Sequence, residues 1–81
     1  MKSTVRMFAV LRERAGREEV PLELPEGADV GGAVEQVAQR LPAIRELLPR
    51  VAYAVNRQYV KPDAKLADGD ELALIPPVSG G

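Results

Sequence analysis

The sequence predicts an α+β fold: a mixed sheet with one main helix packed across a single face. Three observations predict it. Short stretches near both ends of the chain alternate apolar and polar residues, the period of a half-buried strand. One stretch between them, from Val30 to Leu41, carries apolar residues at helical spacing instead. Gly, Pro, Asn and Asp cluster between the stretches, where a chain must turn. The 81 residues allow one domain, with a single modest core.

The elements follow in order. Residues 4–11, TVRMFAVL, read as a first strand with Val5, Met7, Ala9 and Leu11 on one face. Arg14 to Glu19 surrounds Ala15-Gly16, a turn. Val20 to Leu24 reads as a second strand, with Val20, Leu22 and Leu24 alternating against Pro21 and Glu23. The two strands would form a hairpin with a loose loop. Pro25-Glu26-Gly27 breaks the strand, and Asp29 is placed to cap a helix beginning near Val30. Val30, Val34, Val37 and Leu41 form that helix's stripe, flanked by Ala33 and Ala38. Gly31 and Gly32 lower helix propensity by about 1 kcal/mol each relative to Ala, which predicts an irregular start. Pro42 stops the helix, and Ile44, Leu47 and Leu48 predict one short turn before Pro49. Val51 to Val55 is a third strand, Asn56-Arg57 a tight turn, and Gln58 to Val60 a fourth strand. Ala67-Asp68-Gly69-Asp70 is a turn, and Glu71 to Ile75 the last strand, ended by Pro76-Pro77. A sheet in this order, with the helix stripe against one parity of each strand, is the β-grasp or ubiquitin-like layout. The expected division is a domain over residues 1–78 and a Ser-Gly-Gly tail over 79–81.

Composition narrows the function. Eleven Lys+Arg stand against 12 Asp+Glu, a formal net charge of −1, so no general attraction to nucleic acid or anionic lipid is expected. No apolar run approaches membrane-spanning length. Arg6, Arg12 and Arg14 interrupt what a signal peptide would keep apolar. A cytoplasmic protein is the expectation. The chain has no Cys and no His. That excludes disulfides, thiol nucleophiles, imidazole bases and the usual zinc sites. Asp68, Asp70 and Glu71 lie around Gly69 as a turn would place them, and no metal site is expected.

After Pro76-Pro77-Val78 the sequence reads Ser79-Gly80-Gly81. By composition alone this is an ordinary frayed end. The functional reading is a carboxylate presented to an enzyme. Without Cβ, Gly80 and Gly81 fit a narrow channel, and Pro76-Pro77 stiffens the base of the tail. A carboxylate resists nucleophiles until it is activated. Joined to AMP it becomes a mixed anhydride that sulfide, persulfide or thiol attacks.

Phe8-Ala9-Val10-Leu11-Arg12-Glu13, followed by Gly16, resembles the first strand and turn of the small subunits of molybdopterin synthase. Ala54-Val55-Asn56-Arg57 resembles their central hairpin. Leu66 to Gly81, with its PPVSGG ending, resembles their closing turn, last strand and tail. The resemblance covers essentially the whole chain. It implies a sulfur carrier that binds no cofactor. An adenylating enzyme of the ubiquitin-activating type would use ATP to activate Gly81, and a sulfur donor would convert it to a thiocarboxylate. The tail would enter a large synthase subunit and transfer sulfur to cyclic pyranopterin monophosphate, in a heterotetramer of two large and two small subunits. The catalytic groups would belong to the partners. Ile75 departs from the family, which often has an aromatic residue there.

Around the tail, Phe8 shares strand parity with Arg6 and Arg12, and Ile75 with Glu71. If the first and last strands are neighbours, Phe8 and Ile75 form an apolar patch away from the core, near the tail's root. Tyr59 extends that patch or is a half-buried strand residue. Arg12 pairs with a partner carboxylate or is solvated. Pro76, Pro77, Val78 and Ser79 complete the expected partner contact. Three rivals share the pattern: a ubiquitin-like modifier joined through Gly81 to lysines, a carrier for thiamine or tRNA thiolation, and a plain interaction domain with an incidental Gly-Gly end.

Overall fold

The computed structural model describes residues 1–77. Its elements are β1 (Lys2–Met7), α1 (Ala9–Ala15), β2 (Glu19–Glu23), α2 (Val30–Arg40), a 3₁₀ segment (Pro42–Arg50), β3 (Ala52–Val55), β4 (Gln58–Val60) and β5 (Glu71–Ile75). The five strands form one sheet in the order β2-β1-β5-β3-β4. β1 and β5 run parallel, and every other neighbouring pair is antiparallel. This is the mixed β-grasp sheet expected from the strand pattern.

The first strand differs from the expectation. It ends at Met7, and Ala9–Ala15 is a helix rather than strand and turn. Phe8 is still extended (φ −126°, ψ 156°), and Ala9 turns the chain with φ 51°. Ala, Leu, Arg, Glu, Arg and Ala then follow almost without interruption, a run of strong helix formers. Leu11 satisfied a strand parity equally well, and for that reason period two overran the true boundary. Its side chain does reach the core, from the helix, and is fully buried. Ala9 is exposed. Gly16, at φ 75°, closes α1 with its N–H on Arg12 O (2.9 Å), the left-handed ending that glycine takes without Cβ strain. The chain returns at once: Met7 N donates to Glu18 O (2.9 Å), and β2 runs back along β1.

α2 starts regularly despite Gly31 and Gly32. Its first amides all find acceptors: Val30 N on Ala64 O (2.9 Å), Gly31 N on Pro62 O (2.8 Å) and Gly32 N on Asp29 Oδ1 (2.8 Å). These bonds offset the low propensity. A Cβ on Gly31 would stand 3.4 Å from Pro62 O, so the glycine also admits the loop that supplies the bond. Val30, Ala33 and Val37 are the buried residues of α2, while Val34, Ala38 and Leu41 are half-buried flanks. The stripe is thus centred on Ala33 rather than Val34. The 3₁₀ segment is longer than the single turn expected. Pro42 begins it and Pro49 lies inside its end, with Ile44 and Leu48 buried. Together with Val5, Met7, Val20, Leu22, Leu72 and Leu74 they complete one core on one side of the sheet.

Candidate functional site

The parallel pairing of β1 and β5 determines where the chain's last residues begin. Met7 lies opposite Leu74. One residue further, Phe8 and Ile75 stand at the same level, and Ala52 of β3 pairs with Ile75 from the other side. Pro76 is half-buried and Pro77 exposed. The expected tail positions Val78, Ser79, Gly80 and Gly81 lie outside the described residues.

Side chains alternate across the sheet, so residues of one parity face away from the core. On β1 these are Thr4 and Arg6. On β5 they are Glu71, Ala73 and Ile75, on β3 Ala52 and Ala54, and on β4 Tyr59. Ala54 is small enough to be buried between its neighbours, yet it is not part of the core on the helix side. Ile75 is half-buried. Phe8 is 38% exposed and Tyr59 75% exposed, the two large apolar side chains most open to solvent among the described residues. Arg6, Ala73, Ala54 and Tyr59 lie in register across four strands, a span of about 14 Å. The open face is therefore shallow and mixed: alanines floor its middle, Thr4, Arg6 and Glu71 make its β1 side polar, Phe8 and Ile75 stand at the tail end and Tyr59 at the far edge.

Arg6 organises the tail end of this face. Its guanidinium carbon lies 5.7 Å from the centroid of the Phe8 ring, within cation–π range and worth about 0.5–1 kcal/mol. Nη2 bonds Glu18 Oε1 (3.1 Å), while Glu19 and Glu71 approach at 3.7 and 3.8 Å. Such half-exposed ion pairs add little stability singly. Their geometric effect is to hold the planar group, and with it the ring. Arg6 Nε is buried with no hydrogen-bond partner among the described residues. Sequence reading named Phe8 and passed over Arg6, although Arg6 shares its parity two residues earlier.

Arg12 was expected on the parity of Phe8. It lies on α1, exposed and off the sheet face, because the strand ends before it. The acidic turn carries its own hydrogen bonds. Asp68 Oδ1 accepts from Lys2 N (2.6 Å), and Asp70 Oδ1 and Oδ2 accept from Asn56 Nδ2 (2.9 Å) and Ala67 N (2.8 Å). The carboxylates are thereby engaged in folding the turn against β1 and the β3–β4 hairpin.

Comparison with known proteins gives a consistent set. The model of the ThiS family matches residues 5–81. The chain is 41% identical, over the whole of both chains, to a molybdopterin synthase sulfur carrier subunit of Chlamydomonas reinhardtii. It superposes on the crystal structure of SAMP1 from Haloferax volcanii with a TM-score of 0.93 at 30% identity, covering all of both chains. It also superposes, with a TM-score of 0.73 at 27% identity and all of both chains covered, on a chain of the complex of subunits 1 and 2 of the molybdopterin-converting factor from Helicobacter pylori.

Proposed function

The chain belongs to the ThiS family, and from that premise we propose that it is the sulfur carrier subunit of a molybdopterin synthase. The observation that carries the reading is the likeness, along the whole chain, to molybdopterin synthase sulfur carrier subunits. The open face beside Pro76-Pro77 supports it. Exposed apolar side chains at the root of the tail suit a protein that docks on the partners that act on its terminus.

The working atom is the carboxylate carbon of Gly81, with Gly80 narrow enough to follow it into a channel. In a partner adenylating enzyme, a carboxylate oxygen of Gly81 attacks the α-phosphorus of ATP and pyrophosphate leaves. Hydrosulfide, delivered by a sulfur-donor protein, attacks the acyl carbon and AMP leaves. The product is a thiocarboxylate, whose sulfur is nucleophilic at neutral pH. The large synthase subunit then receives the tail and directs that sulfur to cyclic pyranopterin monophosphate, in a heterotetramer acting in the cytoplasm. Phe8, Ile75, Pro76, Pro77, Val78 and Ser79 make the contact with that subunit, and Tyr59 extends it across the sheet. Arg12 contributes from α1.

The deciding measurement is the intact mass of the protein after incubation with its host's adenylating enzyme, ATP and a sulfur source. One oxygen replaced by sulfur, localised to Gly81, is the expected product. The likeness to the small archaeal modifier SAMP1 favours a second reading, conjugation through Gly81 to lysines. Isopeptide adducts in place of the sulfur substitution would select it. Neither product, from an enzyme active on another carrier, would reject both.

A further inference from the structure

The charges of this chain are segregated along the molecule, with the cations gathered where the tail begins. α1 leaves the sheet after Met7, opposite Leu74, and the chain returns beside Met7 at Glu18. The 3₁₀ segment ends at Arg50, two residues before Ala52, which pairs with Ile75. α1 and the 3₁₀ segment pack together, and Arg14 is ion-paired with Glu46 across them. Both elements therefore sit round the root of the tail. Between them, residues 9–17 and 42–50 hold five arginines (Arg12, Arg14, Arg17, Arg45 and Arg50), all exposed. They hold only two carboxylates, Glu13 and Glu46. These two stretches carry a net side-chain charge of +3; Arg6, Glu18 and Glu19, at the same end of the sheet, bring that end to +2, which leaves −3 on the remainder of a chain whose total is −1. Among the described residues only Arg14 of the five forms an ion pair.

We propose that this arginine collar docks the tail root onto a protein partner whose channel mouth is rimmed with carboxylates. The inference rests on the reading of Gly81 as the working end, and names the chemistry of the surface that receives it. A carrier must find its partner quickly and leave it after each transfer. Long-range charge attraction raises the association rate without adding the buried apolar area that would slow release. The opposite sign on the rest of the molecule orients the approach, so that the tail end arrives first.

The test measures association and dissociation rates with the cognate large synthase subunit at low and at high salt. The double variant Arg45→Glu/Arg50→Glu is compared with Arg57→Glu, a charge reversal at the β3–β4 turn, the end of the sheet remote from the tail. The collar variant should associate about tenfold more slowly at low salt, dissociate at an unchanged rate, and lose most of its deficit in 0.5 M salt. The neutral pair Arg45→Gln/Arg50→Gln should fall between it and the wild type, and guards against misfolding of the reversed pair. Equal effects of the collar and control reversals would overturn the proposal while the wild type still receives and transfers sulfur. So would salt-sensitive self-association of the wild type that the collar variant loses, since the acidic end of a second copy would then be the collar's occupant. A wild type that neither binds the large subunit nor accepts sulfur would reject the functional reading, and the collar's role with it.

Discussion

At Phe8 the backbone passes from β1 into α1, and that position leaves a large ring 38% exposed beside the last strand. The ring is more than half covered in the free protein, so truncating it gives up that cover and the contact with Arg6, but it opens no cavity in the core. In a complex it would lose the contact of a ring already positioned. Phe8→Ala is therefore expected to weaken binding of the large subunit by about tenfold or more, measured by calorimetric titration, while lowering stability by only about 1–2 kcal/mol and leaving the fold intact. Unchanged affinity would remove Phe8 from the interface. Leu11 is the opposite case. It is fully buried, and Leu11→Ala should destabilise the fold by about 3 kcal/mol in urea unfolding. A loss below about 1 kcal/mol would contradict the packing of α1 against the core.

At the scale of elements, the β3–β4 hairpin is tied to the start of β5 by one side chain. Asn56 and Arg57 have φ of 49° and 72°, the left-handed pair that a two-residue hairpin turn requires. Asn56 Oδ1 accepts from Glu71 N (3.0 Å), its Nδ2 donates to Asp70 Oδ1 (2.9 Å), and its own N–H donates to Glu71 O (2.9 Å). Asn56→Ala should cost about 2 kcal/mol, combining the lost bonds with the strained φ. Asn56→Gly relieves the strain and keeps only the bond loss, so thermal unfolding of the two variants separates the contributions. Equal stability of Asn56→Gly and the wild type would leave the side-chain bonds without weight. The β2 edge is treated differently. Pro21 offers no N–H, its carbonyl accepts from Arg40 Nη1 (2.7 Å), and Glu23 O accepts from Gln36 Nε2 (3.1 Å). α2 thus covers both faces of the problem, packing on the core and occupying the edge carbonyls that another strand would seek.

At the scale of the whole molecule, stability and the proposed activity occupy separate parts of the chain. The buried core draws on β1, α1, β2, α2, the 3₁₀ segment and β5, with Leu24, Val51 and Leu66 from the connections, and among the described residues it includes none after Leu74. Deletion of Gly81 is expected to abolish sulfur acceptance in the mass assay with no more than about 0.5 kcal/mol change in stability. A larger loss would tie the terminus to the fold. The same separation explains how much could be read in advance. The four later elements of regular structure were legible because their periods were interrupted by Pro, Gly and Asn at the right places: β3, β4 and β5 lie within a residue of their expected bounds, as does α2. The first strand was legible only to Met7, because seven residues are too few to separate a strand parity from two helical turns when Leu11 fits both.

The sequence by itself determined the strand count, the one main helix, the membership of the sheet's core parity, and the Gly-Gly ending with its resemblance to sulfur carriers. These are carried by local pattern and by residue identity, which need no partner in space. Only the tertiary structure decided that α1 exists, that Arg6 reaches the Phe8 ring and three carboxylates, and that Arg12 leaves the sheet face. It alone joined residues 9–17 to residues 42–50 as one basic collar. Each of these depends on segments far apart in the chain meeting through the core, and a contact of that kind leaves no period in the sequence to be read.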